Sequence, residues 1–66
     1  MTFNIGDMVY EEVEGTPTMA DFYIVKKIDK KSETYELYPV TFDNFNNRIF
    51  SFEYAHKWMK RVNNDG

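Results

Sequence analysis

At 66 residues the chain has room for one domain with one modest core, and its lack of cysteine excludes disulfide frameworks, thiolate zinc sites and thiol nucleophiles together. Eight basic against 11 acidic residues give a formal charge of -3, which disfavours strong nonspecific nucleic-acid binding yet falls short of nucleic-acid mimicry. No stretch approaches the ~18 apolar residues of a membrane span, and the opening Met1-Thr2-Phe3-Asn4-Ile5-Gly6-Asp7 lacks the basic and apolar regions of a signal peptide. The expectation is a cytoplasmic single domain over residues 1–62 with a frayed tail over 63–66.

In chain order, Val9, Tyr10 and Val13 lie among polar residues without a helical period, so a first strand is expected from Asp7 to Val13. Gly6 before it suits a positive φ or tight bend, and Asp7 suits a local bond to backbone N–H groups. Gly15 and Pro17 interrupt the pattern, which predicts a loop from Gly15 to Asp21. Phe22 to Ile28 is the strongest strand signal, and Thr34 to Val40 gives the next, joined by the polar turn 29–33 as an antiparallel hairpin. Pro39 cannot donate to a ladder and belongs near a strand end or on an edge. Asn44-Phe45-Asn46-Asn47 is turn chemistry, followed by a fourth strand from Arg48 to Phe52. Ser51 is placed to cap one short helical turn in which Tyr54, Ala55, Trp58 and Met59 recur at helical spacing, and Lys60-Arg61-Val62 returns as a brief final strand.

The opening Ile5-Gly6-Asp7-Met8-Val9-Tyr10, the middle Tyr23-Ile24-Val25-Lys26-Lys27-Ile28 with Thr34-Tyr35-Glu36-Leu37, and the closing segment from Phe52 to Val62 resemble small Src-homology-3-like barrel proteins of bacteria and their phages. In that family a Gly-Asp-x-Val opening strand, a Tyr-x-Val strand and a short helical turn recur in this order. The resemblance implies a mainly β fold: a five-stranded antiparallel barrel with one short helical turn before the last strand. It also implies a binding role, such as a phage-type regulator or inhibitor of a host protein. Members that hold Pro-rich peptides use aromatics beside the first loop, which here would favour Tyr10, Tyr23 and Trp58. The paired tyrosines expected of that loop are absent from this sequence.

Nothing in the sequence assembles catalytic chemistry. His56 is the only histidine, with Ser51 as its nearest hydroxyl, and Glu11, Glu12 and Glu14 read as exposed strand carboxylates. Neither a metal site nor a cofactor is expected, and no glycine-rich phosphate loop is present. Twelve large rings, 6 Phe, 5 Tyr and 1 Trp, exceed what so small a core encloses, so some should face a partner. Tyr10, Tyr38, Phe42 and Phe45 are the candidates for contact with a protein, with self-association compatible with the same surface. Val9, Tyr23, Val25, Ile28, Tyr35, Leu37, Ile49, Phe50, Phe52, Trp58 and Val62 are expected in the core, with Trp58 closing one end. The alternative is nucleic-acid binding through Lys26, Lys27, Lys30, Lys31, Lys57, Lys60 and Arg61, should the hairpin and the C-terminal basic residues lie on one side.

Overall fold

A computed structural model describes residues 2–13, 16–40 and 46–62, with the side chains of 13 and 16–19 outside that description. The strands are β1 (Met8–Val13), β2 (Thr16–Asp29), β3 (Thr34–Pro39), β4 (Arg48–Ser51) and β5 (Met59–Arg61), with helix α1 (Phe52–Trp58) between the last two. They form one antiparallel sheet in the order β4-β3-β2-β1-β5.

The fourteen-residue β2 organises the sheet. Thr16 to Asp21, expected as a loop, belongs to this strand instead, because pairing of Glu11 with Asp21, Glu12 with Ala20 and Val13 with Thr16 outweighs the local preference around Pro17. The ladder shifts register between Glu12 and Val13, near the proline, where a missing N–H is best tolerated. Toward its other end β2 pairs with β3, and the register shifts again between Val25 and Lys27, leaving Lys26 as the extra residue of a bulge. Side chains alternate between faces along a strand, so without the bulge Val25 and Ile28, three residues apart, would point to opposite sides. With it, Val25 is buried, Ile28 packs on the core, and Lys26 and Lys27 both reach solvent.

The turn from β2 to β3 is held by the Asp29 carboxylate, whose Oδ1 accepts the N–H groups of Lys31 at 3.0 Å and Ser32 at 3.1 Å. Glu33 closes it with φ 57°. These bonds favour the ionised carboxylate, so the Asp29 pKa lies below its ordinary value. At the start of β1, Gly6 adopts φ +94°, and Asp7 Oδ2 accepts the Asn4 N–H at 2.8 Å, as the sequence led us to expect. Pro39 is the last residue of β3. Ser51 caps α1 by accepting the Tyr54 N–H at 3.0 Å.

The buried core consists of Phe3, Val9, Tyr23, Val25, Tyr35, Leu37, Ala55 and Met59, with Ile28, Phe50 and Phe52 against it. Three expected core residues are corrected: Trp58 is 55% exposed and Ile49 60%, and Val62 is half-buried outside the core cluster. Trp58 is the last residue of α1 and lines a groove at the surface, and Ile49 lies between Arg48 and Phe50 on an edge strand whose inward position goes to Phe50, opposite Tyr35. Phe3, not named for the core from the sequence, is buried there, with its ring 5.4 Å from that of Tyr35.

Candidate interaction surface

The inward face of β1, β2 and β3 carries Val9, Tyr23 and Pro39 in register, and all three are buried. Alternation sends their neighbours outward, where two cross-strand rows form. One row runs Met8, Ile24, Tyr38, extended by Val62, whose N–H donates to Met8 O at 2.8 Å. The other runs Lys60, Tyr10, Phe22, Val40, the last through its N–H to Phe22 O at 2.8 Å. Seven of these eight side chains are apolar or aromatic. Met8 and Tyr38 are each 37% exposed and Val40 43%, while Tyr10, Phe22, Ile24 and Val62 are half-buried.

Polar residues on an outward face need no explanation, whereas seven apolar side chains in two adjoining rows do. The rings are in mutual contact, with Tyr10 and Phe22 centroids 5.7 Å apart. Lys26, freed by the bulge, lays its Nζ 5.7 Å from the Tyr38 ring centre, so a cation borders this face at one end. Glu12, paired with Ala20, borders it at the other.

Beside Tyr10 the face runs into a groove of about 840 Å³ between the β1–β2 end of the sheet and α1. Its aromatic walls are Tyr10, Tyr54 and Trp58; Glu11, Glu12 and Asp21 supply carboxylates, and Lys57 and Lys60 ammonium groups. The Tyr54 hydroxyl donates to Glu11 Oε2, tying helix to sheet across the groove, and this bond to a carboxylate pushes the Tyr54 pKa up to about 12. Lys57 Nζ lies 5.2 Å from the Trp58 ring centre. Burial raises the pKa of Tyr23, with the nearby Asp21 charge acting in the same direction.

The structure thus brings Tyr10 and Tyr38 to one face and adds Met8, Phe22, Ile24 and Val40, which the sequence reading had not assigned to contact. Phe42 and Phe45 lie outside the described residues. Strict alternation around a single strand bulge was the signal that could have exposed these additional residues, and it needs the register to be read. Of Tyr10, Tyr23 and Trp58, named for a Pro-rich ligand, Tyr10 and Trp58 line the groove while Tyr23 is buried in the core.

The basic residues do not collect on one surface. Lys26 borders the sheet face, Lys27 and Lys30 line a separate shallow groove with Asp29 and Glu36, and Lys31 belongs to the exposed turn. Lys57 and Lys60 share the first groove with three carboxylates. Arg61 Nη1 approaches Asp7 Oδ2 at 3.7 Å. Among the described residues no three His, Asp or Glu side chains gather as a metal would require, and no helix is long and apolar enough to cross a membrane. No family model, curated protein or solved structure matches the chain.

Proposed function

We propose that this protein is a non-catalytic protein-interaction module built as a small Src-homology-3-like barrel, and that it engages its partner through the outward face of β1, β2 and β3. The observation that carries this reading is the pair of apolar rows centred on Ile24 and Phe22, with Met8, Tyr38 and Val40 substantially open to solvent. Among the described residues nine apolar side chains are buried, Pro39 included, and seven more lie on the opposite face of the same sheet. Leaving such rows wet forgoes roughly 25 cal/mol for each Å² that a partner would cover. The partner that fits sets apolar side chains across the two rows and directs carboxylates toward Lys26 and Lys60.

The strand order, the long bulged β2 shared by β1 and β3, and the short helix before β5 support the barrel reading. The scatter of lysines, and the carboxylates beside Lys57 and Lys60, weigh against the nucleic-acid alternative, which calls for a continuous basic track.

Affinity capture from a cell lysate, with and without nuclease and at two salt concentrations, separates these readings. A protein retained through nuclease and high salt supports an apolar interface. Recovery abolished by both treatments supports nucleic acid, and Lys30→Glu with Lys31→Glu would then weaken binding in a salt-dependent manner.

A further inference from the structure

The buried Tyr35 hydroxyl joins three parts of the molecule. It accepts the Phe3 N–H at 3.2 Å and lies 2.6 Å from His56 Nε2, connecting β3 to the segment before β1 and to α1. Tyr35 is 1% exposed, so its single proton has to find an acceptor within the protein. The Phe3 bond uses the oxygen as acceptor, which leaves the proton for His56 Nε2. This arrangement requires a neutral imidazole carrying its own proton on Nδ1.

We propose that His56, Tyr35 and Phe3 form a proton-operated latch, in which protonation of His56 takes away the acceptor of the Tyr35 hydroxyl and frees the segment containing Phe3 from the core.

Once Nε2 carries a proton it becomes a donor, and Tyr35 then faces two donors, Nε2–H and the Phe3 N–H, with its own hydrogen left without an acceptor. The aromatic surroundings act in the opposite sense. Phe52 stacks on His56 at 5.7 Å, and Phe3 meets it edge-on at 5.7 Å, contacts in which a ring face can attract a cation. The ionisable groups around His56 are the Tyr35 phenol on β3, the chain's amino terminus, and Glu53 and Lys57 on its own helix. Loss of hydration on the Tyr35 side, followed by repulsion from the amino terminus, sets the balance and holds the His56 pKa below its ordinary value.

The sign follows directly. A depressed histidine pKa means that the open form binds the proton more tightly, so the closed latch is fully favoured above pH 6.5. Opening then increases by up to tenfold per pH unit between that value and the lower pKa of the closed form. Phe3 is the point of release because its amide bond and its ring both rest on the Tyr35–His56 pair.

The test is amide hydrogen exchange at Phe3 from pH 7.5 to 5, expressed as protection factors to remove the intrinsic pH dependence, alongside imidazole 15N shifts. The latch requires an unprotonated Nε2 at pH 7.5, and protection at Phe3 that falls as His56 titrates below pH 6.5. His56→Gln, whose side-chain oxygen can accept the Tyr35 proton but cannot titrate, should keep protection flat across the range. A wild-type protection factor that stays constant while His56 titrates would overturn the proposal, and so would the same pH dependence in His56→Gln.

Discussion

Tyr35 and Tyr54 show how the surroundings of a phenol decide what it contributes. The Tyr35 hydroxyl is enclosed and shared between Phe3 and His56, so Tyr35→Phe leaves the Phe3 N–H without its acceptor. The expected cost is about 1–2 kcal/mol, measured by urea unfolding at pH 7.5. The Tyr54 hydroxyl instead spans the groove to Glu11 from a partly exposed position. Its pKa is raised in the folded state, so the bond contributes fully below pH 10 and is lost as pH rises from there through about 12. Thermal melts at alkaline pH should therefore fall more steeply for the wild type than for Tyr54→Phe, and identical slopes would remove this bond from the account. Gly6 is a residue whose role was legible from the sequence. Its φ of +94° is unfavourable for an L side chain although a Cβ would meet nothing within 4 Å, so Gly6→Ala should cost about 1–2 kcal/mol through backbone strain alone.

Among the elements, β2 and α1 show what a local pattern can and cannot specify. The Ser51 cap was readable because a hydroxyl immediately before a helical period has one evident use, and Ser51→Ala should lower stability by about 1 kcal/mol in equilibrium unfolding. The strand core from Phe22 to Ile28 was readable from its β-branched and aromatic content. Its extension back to Thr16 was not, since Pro17 and its neighbours favour turns and only the cross-strand pairing with β1 makes them strand. The bulge at Lys26 was equally hidden, because the two adjacent lysines look like an ordinary solvated run until the partner strand fixes the register. Deleting Lys26 leaves Val25 and Ile28 two residues apart on one face and should cost less than about 1.5 kcal/mol, whereas deleting Lys26 and Lys27 together should turn Ile28 away from the core and cost more than about 3 kcal/mol. Similar losses from both deletions, measured by chemical unfolding, would show that the register does not decide where Ile28 packs. Trp58 was misplaced for a related reason: helical spacing groups it with Ala55, but α1 ends at Trp58 and leaves the indole beside the groove.

At the scale of the whole molecule, β1, β2 and β3 carry apolar side chains on both faces of the sheet. The inward residues form the core, and Tyr38, Met8 and Val40 lie on the other face, each more than a third exposed. The sequence signalled the surplus of rings but could not locate it, since Tyr10 and Tyr38 become neighbours on one surface only through the paired registers of three strands. Met8→Ser with Tyr38→Ser removes two partly exposed side chains from one row and should lower folding stability by less than about 1.5 kcal/mol in total. The most direct measurement is isothermal titration of the captured partner against the wild type and this double variant, with thermal unfolding of both recorded in the same buffer. The interaction reading expects at least a tenfold weaker Kd for the variant with its folded state intact at the titration temperature. An unchanged Kd in a folded variant would contradict it and remove the outward sheet face from the function of this protein.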